Sequence, residues 1–281
     1  MDPAAGVSAA AADQQPQREG QDVDRIELDG GSIRYRVRGS GQPLVLLATL
    51  QGSWLRQVRA LTEHFTTITY DMRGFGDSPS LVGFPTNAEH ADDLAALLDH
   101  LGVERAVVVG MSHGGLVAQH FAAKHAERLA GLGLIATFGT AHGPTKQLLR
   151  MLNGFLERDD LPGFWEVLKS MLFSEAGVPA LLRHEAALRK AMFDQYDVAA
   201  LSSIYGGALE HDSQEWLGAP GCPALVVGGA EDILFPPVLT ERLGARLPGA
   251  RVELLPAAHI PPVEDPDRFN ALLLETFGAA R

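Results

Sequence analysis

The sequence predicts an α/β protein: a mostly parallel central sheet flanked by helices, with a helical insertion. Three observations carry this prediction. From Asp22 onward, short apolar runs alternate with helical patterns, the signature of strand–helix–strand units that pair in parallel. After Ala136 the strand rhythm stops for about eighty residues and then resumes. The chain has 281 residues, 46% of them hydrophobic and 21% charged, which suits one globular domain carrying an insertion.

The elements follow in order. Residues 25–28 and 33–38 form an expected antiparallel hairpin, because Asp29-Gly30-Gly31 between them is a strong turn signal. Residues 44–48, 67–70, 106–109 and 132–136 are short apolar runs expected as buried strands. Between them, 54–61, 87–101 and 115–125 have helical patterns. In the second of these, Asn87 is the expected N-cap, Leu94, Leu97, Leu98 and Leu101 share one face, and Gly102 is the stop. Residues 139–216 contain amphipathic helical stretches broken by Pro144, Pro162 and Pro179, and no convincing strand. A strand at 224–228, a helix at 237–247, a strand at 251–255 and a closing helix at 266–277 complete the pattern. The expected organisation is a core of residues 22–138 and 217–281, a helical insertion at 139–216, and a disordered leader at 1–21.

Composition narrows the function. Asp plus Glu is 35 against 23 for Lys plus Arg, a formal charge of −12, which argues against a nucleic-acid binder. The single cysteine, Cys222, excludes an intramolecular disulfide and a cysteine-based metal cluster; it reads as a small apolar residue entering a strand. No apolar run approaches the about 18 residues that a membrane span requires. The first 21 residues, rich in Ala, Gln and Pro, lack the basic and apolar regions of a secretory signal. The expectation is a cytoplasmic protein whose partner is a small-molecule substrate, with no nucleic acid and no membrane.

Gly110-Met111-Ser112-His113-Gly114 is a G-x-S-x-G sequence lying between an expected strand and an expected helix. A serine on such a turn must adopt a strained backbone; flanking glycines admit the neighbouring chain, and the helix N-terminus faces the hydroxyl. A serine hydroxyl needs a base to become a nucleophile, and the base needs an acid to orient it. Both partners should follow later strands. Glu231 and Asp232 follow the strand at 224–228, and His259 follows the strand at 251–255. The order Ser112, Asp232, His259 results, with Glu231 as the near alternative acid. No acid occurs between Leu129 and Leu156 to replace them. Of the ten histidines, the other nine have structural readings, including those in expected helices (His100, His120, His125) and those in or beside the insertion (His142, His184, His211).

With these motifs in order, the chain resembles the α/β-hydrolase superfamily from about Ile26 to its C-terminus. Asp71-Met72-Arg73-Gly74-Phe75-Gly76-Asp77-Ser78 is similar to the family's D-x-R-G-x-G-x-S loop, and Gly228 to Asp232 to its acid loop. Ala258-His259, then Glu264-Asp265-Pro266 and Phe269, resemble its histidine segment and last helix. The resemblance implies that the insertion is a cap over the serine. It also implies an oxyanion hole made by the backbone N–H groups of Leu50 and His113. One departure stands out: the family's His-Gly after the third strand is Ala48-Thr49 here. Loss of one oxyanion donor typically removes about 2.7–4 kcal/mol of transition-state stabilisation. Two outcomes remain open: the loop rearranges, with the Thr49 hydroxyl or Gln51 amide filling in, or the pocket serves another reaction.

Further pocket candidates are Trp54, Trp165, Phe173, Tyr196, Tyr205 and Phe235, and the His113 imidazole could also face substrate. No P-loop or dinucleotide fingerprint occurs, so no cofactor is implied. His90-x-x-Asp93 reads as a solvated helix face rather than a metal site. The expected function is acyl transfer to water: Ser112 attacks a hydrophobic ester, lactone or related carbonyl compound, His259 carries the proton, and Asp232 orients His259. The alternatives are a non-hydrolytic reaction on the same fold (acyl transfer, C–C cleavage, or a cyclisation or lyase step in secondary metabolism) and a non-catalytic small-molecule binder.

Overall fold

Alternating burial along a single strand sets the architecture. In Gln42–Leu47, Leu44 and Leu46 join one hydrophobic cluster while Val45 and Leu47 join another, so the strand is covered on both faces, as a parallel sheet requires. The computed structural model describes residues 23–49 and 51–278, the side chains of Gln51 and Gln195 excepted. Its strands are β1 (Asp24–Leu28), β2 (Gly31–Arg38), β3 (Gln42–Leu47), β4 (Phe65–Tyr70), β5 (Ala106–Met111), β6 (Leu129–Ile135), β7 (Ala224–Gly229) and β8 (Arg251–Leu255). They form one sheet in the order β1-β2-β4-β3-β5-β6-β7-β8. The β1–β2 hairpin and the β2–β4 pair are antiparallel, and every later pair is parallel.

A 3-10 turn (Gln51–Trp54) leads into α1 (Leu55–Leu61), which packs on one face with the closing helix α10 (Pro266–Phe277). The other face carries α2 (Asn87–His100), α3 (His113–Lys124) and α8 (Pro237–Ala245). Between β6 and β7 the chain makes four helices: α4 (Gly143–Glu157), α5 (Leu161–Leu172), α6 (Val178–Gln195) and α7 (Val198–Glu210). Pro144, Pro162 and Pro179 each sit in the first turn of one of these helices, where a missing N–H costs nothing. A short α9 (Pro261–Glu264) precedes α10. Among the described residues, no helix is long and apolar enough to cross a membrane.

The α/β class and the mostly parallel sheet agree with the sequence reading. Details differ. Strand β6 begins at Leu129, three residues earlier than expected, because Leu129 pairs with Ala106 across a bulge. The N-cap of α2 is Thr86, not Asn87: Thr86 Oγ accepts from the Glu89 N–H, and Glu89 accepts from the Thr86 N–H. Asn87 is thereby free to turn inward. His90 and Asp93 are not a solvated face; they are buried, because Asp93 takes a bidentate ion pair from Arg73 at 2.9 and 3.1 Å. The leader, residues 1–21, lies outside the described residues.

Candidate active site

Strand β5 ends at Met111 and α3 begins at His113, so Ser112 makes the whole turn between them, with φ 55° and ψ −118°. That is a strained conformation for a residue with a side chain, and the surrounding chain holds it. The Ser112 N–H donates to the Ile135 carbonyl at 2.9 Å, and the Thr137 hydroxyl donates to the Ser112 carbonyl at 3.0 Å. Glycine is required on either side. A Cβ on Gly110 would strike the Gly114 carbonyl, and one on Gly114 would strike the Leu47 carbonyl. Sequence and geometry therefore agree on why these positions lack side chains.

Asp232 and His259 arrive from the C-terminal ends of β7 and β8. Asp232 Oδ1 accepts the N–H groups of Leu234 (2.9 Å) and Phe235 (2.8 Å), which fixes the carboxylate. Its Oδ2 lies 2.9 Å from His259 Nδ1, and His259 Nε2 lies 2.9 Å from Ser112 Oγ. Both Asp232 and His259 are buried. Phe235 stands edge-on to the His259 ring, with centroids 4.9 Å apart. Glu231 faces elsewhere and accepts the Glu175 N–H at 3.1 Å.

Behind this line, Glu264 Oε1 accepts the Ala258 N–H at 2.7 Å, one residue before His259. Its Oε2 accepts the N–H and hydroxyl of Ser174, between α5 and α6, at 2.9 and 2.6 Å. Glu264 thus ties the histidine loop to the insertion. The sequence marked Glu264 only as part of a family segment; its 90-residue reach to Ser174 had no local signal.

His113 opens α3, where an N–H has no acceptor within the helix. Its ring Nε2 donates to Asn87 Oδ1 at 3.0 Å, and burial lowers its pKa to about 4, so the imidazole is neutral. Tyr196 donates its hydroxyl to the Thr49 carbonyl. Leu50 and the side chain of Gln51 lie outside the described residues.

Ser112 and His259 line a cavity of about 410 Å³ between the sheet and the insertion. Thr49, Trp165, Phe173, Tyr196, Tyr205 and Phe235 line it too. Trp54 does not: it is fully buried on the far side of the loop, against Phe269 of α10. The reason is packing, since the 3-10 turn points this indole into the α1–α10 layer. Among the described residues, no group of three or more His, Cys, Asp or Glu could hold a metal ion.

Comparison with known proteins places these features in context. A family model described as alpha/beta hydrolase fold matches residues 42–161. A Caulobacter sp. (strain K31) protein, provisionally assigned as carbamate hydrolase RutD, is 31% identical over 88% of this chain and 93% of its own. Among solved structures, a thermophilic esterase from Thermogutta terrifontis superimposes with TM-score 0.74 at 30% identity, covering 87% of this chain and 92% of that one. An enol-lactonase from Burkholderia xenovorans LB400 superimposes with TM-score 0.82 at 25% identity, covering 90% and 98%.

Proposed function

The chain belongs to the α/β-hydrolase family, and on that premise we propose that it is a serine-dependent hydrolase of hydrophobic esters, lactones or related carbonyl compounds, with residues 139–216 acting as its cap. The observation that carries this proposal is the hydrogen-bonded line from Ser112 Oγ through His259 to Asp232, with 2.9 Å at each step, opening onto an apolar cavity.

In the proposed reaction, His259 Nε2 takes the Ser112 hydroxyl proton as Oγ attacks the substrate carbonyl carbon. Asp232 holds the Nδ1–H of His259 and stabilises the imidazolium that forms. Negative charge moves to the carbonyl oxygen, where the N–H of His113 at the head of α3 receives it; by family resemblance the Leu50 N–H is the second donor. The tetrahedral species collapses with loss of the alcohol, which takes its proton from His259. Water then attacks the acyl-enzyme by the same sequence and releases the acid and Ser112. The neutral, Asn87-bonded ring of His113 is directed to α2, so its backbone carries its part in the reaction.

The test is hydrolysis of a panel of p-nitrophenyl esters and lactones by the native protein, Ser112→Ala, His259→Ala and Asp232→Asn. Loss of about 10³-fold or more in kcat for Ser112→Ala and His259→Ala is expected. Full activity of Ser112→Ala would overturn the proposal.

A further inference from the structure

Among the described residues, the cavity walls carry no Asp, Glu, Lys or Arg side chain. An anionic or cationic group on a substrate would leave water there without a counter-charge, which is strongly unfavourable. Most polar side chains on the wall are already engaged. Trp165 Nε1 donates to Glu185 at 3.2 Å, Tyr196 donates to Thr49, His113 donates to Asn87, and Ser112 and His259 face each other.

The remaining polar side chains of the wall are Thr49, Ser53 and Tyr205, of which Tyr205 is the buried one. It lies on α7, its ring edge-on to Phe164 at 5.4 Å, and only 9% of it is exposed. Among the described residues its hydroxyl has no hydrogen-bond partner, and the residue lines the cavity. The hydroxyl oxygen is not sealed within the protein, so it opens on the cavity, and polar groups in such places are normally satisfied by what the cavity holds. Burial raises the phenol's pKa, so the group is present as an O–H donor.

We propose that Tyr205 is the polar anchor of the cavity, and that the substrate is an uncharged ester or lactone. Its apolar body carries one neutral hydrogen-bond acceptor, a ketone, amide or ether oxygen, that takes the Tyr205 O–H. This rests on the assignment of Ser112 as the attacking residue, and it adds the chemical class of what is attacked. A carboxylate or phosphate on the same part of the substrate is excluded. The anchor acts on selectivity: a site that must satisfy a buried polar group discriminates against the analogue lacking its partner.

The experiment compares p-nitrophenyl esters of one chain length: hexanoate, the 4-oxo and 5-oxo hexanoates, and the adipate half-ester. The half-ester is expected to fall about 100-fold or more below hexanoate in kcat/KM, since its carboxylate has no counter-charge. One oxo ester is expected to exceed hexanoate about tenfold, mainly through KM, as one added hydrogen bond provides. In Tyr205→Phe, checked for folding by its melting temperature, the ratio of oxo ester to hexanoate falls toward one. Equal turnover of the half-ester and hexanoate, or an oxo preference that survives Tyr205→Phe, overturns the inference. Binding of the matching p-nitroanilides to Ser112→Ala, by calorimetry, separates the two proposals. The same order of affinities with no ester turnover by the native protein would sink the hydrolase reading and leave only the Tyr205 anchor and the neutral ligand class standing. Brisk hydrolysis with no discrimination between neutral and anionic chains would do the reverse.

Discussion

The hydroxyl of Tyr196, at the end of α6, donates to the backbone carbonyl of Thr49, 147 residues earlier, and so joins the helical insertion to the loop after β3. The proposed oxyanion hole takes its second donor from the residue that follows Thr49. Tyr196→Phe removes the tie and keeps the ring. It is expected to lower kcat about tenfold, with little change in KM, matching the loss of one hydrogen bond that matters chiefly in the transition state. Steady-state kinetics on a p-nitrophenyl ester decides it. An increase in KM alone would assign Tyr196 to substrate contact.

Glu264 links the same two parts of the molecule from the other side, accepting from Ala258 beside the histidine and from Ser174 in the insertion. Glu264→Ala leaves three donors without their acceptor. It should destabilise the fold by about 1–3 kcal/mol and also reduce kcat, because the His259 loop loses its brace. Urea unfolding and kcat measured together check both effects; an unchanged kcat would limit Glu264 to stability.

Two glycines make opposite predictions. A methyl at Gly114 would meet the Leu47 carbonyl of β3, so Gly114→Ala should cost about 1–3 kcal/mol and displace the serine turn. Gly206, within α7, has nothing within 4 Å of the added Cβ. Gly206→Ala is therefore expected to stabilise by about 0.5–1 kcal/mol through helix propensity. Thermal unfolding of both variants provides the comparison.

Stability should fall with acid in a defined window. His90 and His113 are buried with ring centroids 5.9 Å apart, both beside Phe75, and neither His90 ring nitrogen has a hydrogen-bond partner among the described residues. Arg73 and Asp93 are the charged neighbours, with Asp93 3.9 Å from His90 Nδ1. Burial holds the His113 pKa at about 4 and the His90 pKa well below its ordinary 6.5. Above about pH 6.5 both states are neutral at these rings and the stability is complete. Between about pH 6.5 and 4 the unfolded chain binds protons that the folded one refuses, so stability is lost as pH falls, by about 3 kcal/mol for His113 alone. Urea unfolding from pH 7.5 to 4.5 should show this decline. His90→Leu should make it shallower by one proton's contribution, and an unaltered slope would contradict the assignment.

Local chemistry was legible in the sequence and long-range contacts were not. Strand runs, the glycines around Ser112, and the acid and histidine after β7 and β8 are set by neighbours along the chain, so spacing reveals them. The Thr86–Glu89 capping box was also local, but Asn87 is an equally good cap by type, and only its buried bond to His113 shows why it was not used. The hydrophilic types of His90 and Asp93 suggested solvent; Arg73, 20 residues from Asp93, reverses that by supplying a buried counter-charge. Tyr196 to Thr49 and Glu264 to Ser174 depend on how the insertion folds back over the sheet, which no periodicity encodes. Trp54 shows the same limit, being adjacent to the loop after β3 in sequence but turned into the opposite layer.

The most direct test of the central claim is labelling of the purified protein with a fluorophosphonate, followed by peptide mass mapping, beside Ser112→Ala and His259→Ala. Rapid formation of one adduct, located on Ser112 and abolished in both variants, is the expected result. Labelling that persists in Ser112→Ala, or that proceeds at the native rate in His259→Ala, would contradict an activated serine at the head of α3.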